Sequence, residues 1–262
     1  MRKRIIPKKH LGQHFLADPN VKRQILQACQ LSSEDIILEI GPGPGALTKE
    51  MIEMVSHVYA IEIDAELCAR LHNAYPNSRL TMIHSDFLTC PLDFLPEGVK
   101  VVGNLPYNIS SPIIERFIEH RSIFQQLFFT VQLEFGKRLA AKADCRDYGS
   151  LTCFVQYYSD VKFLFKVKNT AFRPIPQVTS CFVQMTLREP PHKAQNEDLL
   201  FEITRHAFQQ RRKKIGNALE TLFPADQINN GLRDLGIHPN ARAENLTLKN
   251  YVDLSNVLIA KS

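Results

Sequence analysis

The feature that most constrains the fold of this chain is a repeated alternation of short apolar runs with amphipathic segments. Over roughly the first 185 residues, apolar and β-branched runs occur at 36–40, 58–63, 80–83, 99–102, 127–131, 161–167 and 181–187. Between the early runs, segments 47–54, 66–74 and 112–118 place apolar residues three or four positions apart, which is typical of helices. The alternation predicts an α/β fold with a mostly parallel sheet covered on both faces. The last two runs are joined by loop-like sequence and could instead form an antiparallel hairpin at one edge.

A change of pattern at residues 188–192 predicts a domain boundary. Two consecutive prolines there indicate a linker. Asn196 then resembles a helix N-cap, and apolar residues follow at helical spacing in three stripes near 199–207, 215–223 and 248–258. We therefore predict an α/β domain over residues 1–188 and a small domain of four short helices over residues 189–262.

The composition excludes several classes of protein. The chain has 262 residues, of which 44% are hydrophobic and 23% charged, as in ordinary globular proteins. No stretch approaches the roughly 18 consecutive apolar residues of a membrane-spanning helix. Six scattered cysteines form no C-x-x-C pair, which argues against a disulfide framework or a zinc site. We expect a reduced, cytoplasmic, monomeric protein without a metal centre.

The net charge of +5 conceals a strong asymmetry along the chain. Residues 31–99 contain eleven acids and three bases, a charge of −8, so the remaining residues carry +13. Five Lys and Arg lie within the first ten residues, and four more are consecutive at 211–214. Clustered bases indicate a polyanionic partner such as nucleic acid, although two solvated basic faces explain them equally well.

A glycine-rich turn follows the first predicted strand and contains Gly41, Gly43 and Gly45. Such a turn lets the backbone approach a nucleotide-like ligand, but it also suits any strand-to-helix turn that needs positive φ. Glu62 lies 21 residues beyond Gly41, where an acid can accept hydrogen bonds from ribose hydroxyls. Asp86 ends the next strand and could accept from an adenine amino group. Together these features predict a pocket for S-adenosyl-L-methionine, whose sulfonium cation suits the acidic segment.

The fourth predicted strand ends in Asn104, which Leu105, Pro106 and Tyr107 follow. A site that methylates an exocyclic adenine amine gains by accepting hydrogen bonds from that amine. The Asn104 side chain and the Pro106 backbone offer carbonyls, and Tyr107 offers a face on which an extruded base can stack. An Asn-Pro turn with a buried tyrosine is the structural alternative.

Taken together, these motifs resemble the KsgA (RsmA) family of small-subunit ribosomal RNA adenine dimethyltransferases. The resemblance spans nearly the whole chain and includes residues 8–16, 39–48, 62, 86, 104–111, 172–178 and 210–214. It implies a class I, Rossmann-like methyltransferase domain that uses S-adenosyl-L-methionine, followed by a small helical domain. The implied reaction dimethylates N6 of two adjacent adenines in a hairpin near the 3′ end of 16S rRNA, a step in ribosome biogenesis.

The resemblance also implies roles for individual residues. The implied cofactor contacts are His14, Leu16, Gly41, Glu62, Asp86 and Asn104. Family members usually have Asn at the position of His14. Phe172 matches the aromatic residue that sandwiches the target base opposite Tyr107, although a core phenylalanine gives the same pattern. The implied RNA contacts are the basic residues Lys8, Lys9, Arg211, Arg212, Lys213 and Lys214, which would make binding strongly dependent on salt.

Three other functions remain open at this stage. One is the related methylation of large-subunit RNA that confers macrolide resistance, although the segments at 172–178 and 210–214 favour the small-subunit family. Another is DNA adenine methylation, which the lack of an evident base-reading domain disfavours. The last is a binding role in ribosome assembly, which can coexist with methylation.

Overall fold

The strands and helices of the computed structural model cover most of the chain, and the structure describes residues 7–8, 11–76 and 79–260. The strands are β1 (Phe15–Leu16), β2 (Ile36–Ile40), β3 (His57–Glu62), β4 (Leu80–His84), β5 (Val99–Asn104), β6 (Phe124–Gln132), β7 (Ser159–Val167), β8 (Phe172–Arg173) and β9 (Ser180–Leu187). The helices are α1 (Pro19–Cys29), α2 (Thr48–Met54), α3 (Ala65–Ala74), α4 (Ser110–Glu119), α5 (Leu133–Leu139), α6 (Ser150–Tyr158), α7 (Glu197–Gln209), α8 (Ile215–Leu219), α9 (Ala225–Asp234) and α10 (Leu248–Ala260).

Seven of the strands form a sheet in the order β4-β3-β2-β5-β6-β9-β7. The five strands from β4 to β6 run parallel to their neighbours, and β9 runs antiparallel to β6. All seven apolar runs of the sequence become strands of this sheet, so the prediction of a mostly parallel sheet is confirmed. The last two runs lie side by side at one edge, as the loop-like sequence between them suggested.

The register of the central strands places three chain segments at one edge of the sheet. Ile40 at the end of β2 pairs with Ile61 of β3 and with Gly103 of β5. The residues that follow these pairs are the glycine turn, Glu62 and Asn104. Ligands of open α/β sheets bind at the carboxyl ends of parallel strands, and the register brings the candidate site residues to that edge.

A second, two-stranded sheet was not predicted from the sequence. It pairs β1 with β8 in antiparallel register, Leu16 opposite Phe172 and Phe15 opposite Arg173. Two-residue strands are too short to show a periodic pattern. This small sheet fixes the chain segment just before α1 beside the glycine turn.

The chain divides into two compact units, and the division differs from the predicted one. One unit contains residues up to 136 together with 160–188, and the other contains 137–159 together with the residues from 189 onward. The predicted boundary after residue 188 missed the contribution of 137–159. In this segment α6 packs on α7, where the rings of Phe154 and Phe201 lie 5.1 Å apart and Tyr158 Oη donates to Glu197 at 2.6 Å.

Among the helices of the described ranges, none combines the length and the hydrophobicity needed to span a bilayer. Within the same ranges, no group of three or more His, Cys, Asp or Glu side chains is arranged to hold a metal ion.

Glu39 is an unusual residue of β2 because its carboxyl group is buried among apolar side chains. Its Oε2 accepts a hydrogen bond of 2.7 Å from Thr48 Oγ1. Burial raises the pKa of Glu39 to about 8, while the Thr48 bond lowers it and nearby Glu62 and Glu50 raise it further. Folding therefore favours the protonated form of this carboxyl group.

A Glu39→Gln variant tests this assignment. The pKa of Glu39 in the folded protein exceeds the ordinary value, so its stabilising contribution is complete at acidic pH and is lost as the pH rises towards about 8. We expect the free energy of unfolding, measured by urea denaturation across this range, to fall less for the variant than for the wild type. Exposed Glu34→Gln is the matched control, and parallel curves for wild type and Glu39→Gln would contradict the assignment.

Candidate active site

The main cavity of the first unit lies at the carboxyl edge of the sheet. Its walls include segment 11–15, Gly41 and Gly43 of the glycine turn, Glu62, Asp86 and segment 104–107. Motifs separated by up to 96 positions in the sequence thus line a single cavity. The parallel register of β2 with β3 and β5 brings the glycine turn, Glu62 and Asn104 to this cavity.

The glycine turn has positive φ at Gly41 (62°), Gly43 (58°) and Gly45 (84°). At Gly43 a Cβ atom would lie 2.9 Å from Phe15 Cδ1, so a side chain would push segment 11–15 off the turn. At Gly41 a Cβ would meet no atom within 4 Å, so the turn leaves open space at the cavity wall. Gly45 does not line the cavity: a Cβ there would lie 2.6 Å from Leu71 Cδ2. Its predicted cofactor contact is corrected to a packing role against α3.

Glu62 is the last residue of β3, and backbone N–H groups orient both of its carboxylate oxygens. Oε2 accepts the Gly43 N–H at 3.0 Å, and Oε1 accepts the Asp64 N–H at 2.9 Å. Burial raises the pKa of Glu62, and these backbone hydrogen bonds oppose that shift. A carboxylate has about four acceptor positions, more than the backbone N–H groups at Glu62 occupy, so acceptor capacity remains for a hydroxyl group of a ligand.

Asp86 lies in the cavity wall beyond β4. Its Oδ1 accepts the Leu88 N–H at 2.9 Å, which holds the carboxylate at the start of a turn. The cavity therefore carries two acids, and a cationic ligand suits it electrostatically.

Asn104 ends β5 with an oriented amide group. Its Nδ2 donates to the His14 carbonyl at 2.8 Å. Its Oδ1 is buried and has no hydrogen-bond partner among the described residues. A buried acceptor without a partner costs about 1–3 kcal/mol, so this atom requires a donor from outside the protein, such as an amine.

Tyr107 presents a fixed aromatic face to the cavity. Its hydroxyl lies 2.6 Å from Ser180 Oγ, and burial raises its pKa although that hydrogen bond opposes the shift. The His14 ring lies nearly parallel to it, with centroids 6.0 Å apart and planes 19° apart. His14 Nδ1 lies 2.8 Å from the Pro174 carbonyl, and because a carbonyl only accepts, this nitrogen carries the proton.

The side chains of Phe172 and Leu16 lie in the core, although Leu16 also lines a smaller cavity together with Gly41 and Asn104. Their predicted contacts with the target base and the cofactor stay predictions. Phe172 is fully buried and Leu16 is 6% exposed, and the two residues are paired across the β1–β8 sheet. Neither lines the main cavity. The aromatic ring that faces Tyr107 in this structure is His14, not Phe172.

Pro106 lines the cavity, but its carbonyl, the group predicted to accept from the amine, is engaged elsewhere. Its carbonyl accepts both the Ile109 N–H at 3.2 Å and the Ser110 hydroxyl at 3.0 Å, so it serves the first turn of α4. The preceding Leu105 lines the cavity, and within the described residues its carbonyl accepts no hydrogen bond. Sequence reasoning missed Leu105 because it considered the rigid proline rather than the direction of each carbonyl.

The basic residues predicted to bind RNA fall into different environments. Lys9 lies outside the described residues. Lys8 Nζ makes an ion pair of 2.8 Å with Asp64, so its predicted RNA contact is revised. Arg211 is engaged within the second unit, where it pairs with Glu244 at 3.4 Å and donates to the carbonyls of Arg146 and Cys145.

The next three basic residues of that run are exposed. Arg212, Lys213 and Lys214 precede α8, of which Lys214 is the N-cap residue. They form the exposed part of the cluster, which we call the basic turn.

Comparison with known proteins assigns the family. Residues 6–260 match the model of a family described as "Ribosomal RNA adenine dimethylase". The chain belongs to this family. It is 40% identical to ribosomal RNA small subunit methyltransferase A of Aromatoleum aromaticum, over 97% of this chain and 95% of that protein.

Two solved structures share the fold over nearly the full length. A dimethyladenosine transferase from Plasmodium falciparum has a TM-score of 0.78 and 27% identity, covering 92% of this chain and 96% of that one. The 23S rRNA methyltransferase ErmE has a TM-score of 0.75 and 25% identity, covering 94% and 99%. The expected class I methyltransferase fold with a helical C-terminal part is confirmed.

The cavity fits S-adenosyl-L-methionine, the cofactor of this family. The open space at Gly41 admits a ligand against the backbone, Glu62 retains acceptor capacity, and the two acids Glu62 and Asp86 suit a cation. When bound, the cofactor supplies an activated methyl group. Gly41, Gly43, Glu62 and Asp86 would hold it.

The variant Glu62→Ala should bind S-adenosyl-L-methionine more weakly by about 1.5–3 kcal/mol, because a charged acceptor is lost. Isothermal titration calorimetry measures this change. The exposed Glu66→Ala variant, one turn away, is the control and should bind like the wild type. An unchanged affinity for Glu62→Ala would remove this residue from the cofactor site.

Proposed function

We propose that this protein dimethylates N6 of two adjacent adenines in a hairpin near the 3′ end of 16S rRNA, acting as a cytoplasmic monomer on the small ribosomal subunit. The observation that carries the proposal is the buried Asn104 Oδ1, which has no hydrogen-bond partner among the described residues, in a cavity that Tyr107 also lines. An exocyclic amine of a base stacked on Tyr107 is a donor of the right kind.

The protein's contribution to the chemistry is to hold the amine in a reactive form. A hydrogen bond from the target N–H to Asn104 Oδ1 weakens conjugation of the nitrogen lone pair with the adenine ring. The Leu105 carbonyl offers an acceptor for the second N–H. Nitrogen that has gained a methyl group is cationic and loses its proton readily, so no strong base is needed in the site.

The same acceptor accounts for two successive methylations. A monomethylated amine still has an N–H for Asn104 Oδ1, so the base can be held for a second reaction. A dimethylated amine has none, and it leaves the buried acceptor without a partner, which costs about 1–3 kcal/mol. The site therefore holds the unmodified and monomethylated bases better than the final product.

The choice of the small subunit rests on sequence similarity rather than on the fold. Relatives named ribosomal RNA small subunit methyltransferase A are 36–40% identical to this chain. ErmE, a 23S rRNA methyltransferase, is 25% identical yet has nearly the same TM-score as the Plasmodium dimethyladenosine transferase. Large-subunit RNA is therefore the second candidate substrate.

A labelling experiment tests the substrate and the product together. Undermethylated small and large ribosomal subunits are incubated separately with the protein and methyl-labelled S-adenosyl-L-methionine, and the nucleosides are analysed. We expect N6,N6-dimethyladenosine in 16S rRNA. Label in 23S rRNA alone would establish the second candidate, and folded protein that labels neither RNA would overturn the proposal.

The variant Asn104→Ala removes the unpaired acceptor. We expect kcat for methylation to fall by about 10²–10³-fold, the usual cost of losing a preorganised polar group in a transition state. Asn108, which is exposed in the same loop, provides the control Asn108→Ala with little change. An Asn104→Ala protein that keeps its kcat would show that the amide does not act on the amine.

Replacing the three residues of the basic turn with Gln should weaken binding to the subunit. Each phosphate contact contributes about −0.7 to −0.9 to the slope of log affinity against log salt, so the slope should become shallower by about two to three. A filter-binding titration at several salt concentrations measures it. Lys249→Gln, which alters an exposed lysine paired with Asp253, is the control; an unchanged slope for the triple variant would exclude the basic turn from RNA binding.

A further inference from the structure

Two hydrogen bonds connect Lys8 to the residues that directly precede β1. The Lys8 backbone N–H donates to Gln13 Oε1 at 2.7 Å, and the Leu11 N–H donates to the Lys8 carbonyl at 3.1 Å. Both side chains then extend in the same direction, towards the turn between β3 and α3. Residues 11–15 of this segment line the cofactor cavity.

Asp64 in that turn receives both side chains. Lys8 Nζ lies 2.8 Å from Oδ1, and Gln13 Nε2 lies 3.2 Å from Oδ2. Oδ1 also accepts the Glu66 N–H at 3.1 Å and so caps α3. The Asp64 side chain is only 3% exposed, whereas that of Lys8 is 41% exposed. We call Lys8, Gln13 and Asp64 the N-terminal clamp.

The electrostatics of the clamp depend on its donors. Burial on its own would raise the pKa of Asp64, but the hydrogen bonds from Lys8, Gln13 and Glu66 hold it below the ordinary value. Asp64 is therefore a buried anion whose charge is compensated mainly from the N-terminal segment. Without Lys8, its charge would act on Glu62, whose pKa Asp64 already raises by repulsion.

The clamp is connected to both functional sides of the cavity. The Asp64 N–H donates to Glu62 Oε1 at 2.9 Å, and Glu62 is the acceptor assigned to the cofactor. The residue after Gln13 is His14, whose carbonyl accepts from Asn104 Nδ2 at 2.8 Å. Displacing the segment would therefore disturb the cofactor acid and the amide that faces the target amine.

From these contacts we propose that Lys8 and Gln13 are positioning residues for the cofactor site. Through Asp64 they hold segment 11–15 in the cavity wall and keep the Asp64 N–H on Glu62 Oε1, which orients Glu62. Lys8 thus acts on S-adenosyl-L-methionine binding rather than on RNA phosphates. The inference rests on the proposed function, because it assigns residues to the cofactor site of the same reaction.

The test compares neutral and charge-conserving replacements of Lys8 in the full-length protein. Calorimetry with S-adenosyl-L-methionine in the absence of RNA should show a Kd about tenfold higher for Lys8→Met, since a charged hydrogen bond to a buried anion is lost. Lys8→Arg keeps the cation and should restore the affinity. In steady-state assays, Lys8→Met should raise KM for the cofactor, and Lys8→Arg should restore it.

Two further variants make the comparison specific. Lys213→Met removes a cation from the basic turn and should lower affinity for the ribosomal subunit with no change in the cofactor Kd. Gln13→Ala should raise the cofactor Kd in the same direction as Lys8→Met, and it serves as the second probe if Lys8→Met fails to fold. Thermal unfolding of each unliganded variant shows whether its effect is confined to binding.

The outcomes separate this inference from the proposed function. An unchanged cofactor Kd in both Lys8→Met and Gln13→Ala would overturn the clamp, as would a loss of subunit affinity alone in Lys8→Met. Either result leaves the methylation assay of the wild type untouched. Failure of the wild type to bind S-adenosyl-L-methionine would instead overturn the proposed function.

Discussion

The parallel register of β2 with β3 and β5 is the constraint on which the site depends. Because Ile40 pairs with both Ile61 and Gly103, the three strands end level with one another. The glycine turn, Glu62 and Asn104 then meet, although they are far apart in the sequence. A slip by one residue would turn every side chain of a strand to the opposite face, which would turn Asn104 away from the cavity and separate Glu62 from the Gly43 N–H.

The sequence predicted the features that have a local cause. Apolar runs specified the strands, and positive φ at Gly41 and Gly43 left a recognisable glycine pattern. Features that depend on distant partners were missed. The burial of Phe172 opposite Leu16 is one such feature, because its local sequence is the same in the core as in a stack. Likewise, the local sequence of Lys8 predicts a solvated cation, because its partner Asp64 lies 56 positions away in the sequence.

The same reasoning explains the domain boundary and the basic cluster. Residues 137–159 interrupt the strand pattern with a helix, and the sequence alone does not show which unit its apolar face packs on. Because strands follow it in the chain, the prediction assigned it to the first unit. In the structure it packs on α7 of the second unit. Arg211 is the first of four consecutive basic residues. Unlike the three residues of the basic turn, its side chain is bound by three partners within the second unit.

The pairing of β1 with β8 has a consequence for synthesis of the chain. Phe15 and Leu16 find their strand partners only at Arg173 and Phe172, and His14 finds its acceptor only at Pro174. A nascent polypeptide therefore carries the glycine turn, Glu62 and Asn104 long before β8, the strand that pairs with β1, has been made. Residues 11–15 contact Asp64 and Asn104 first. Their strand partner is made only after about two-thirds of the chain, so this wall of the cavity gains its last support late in translation.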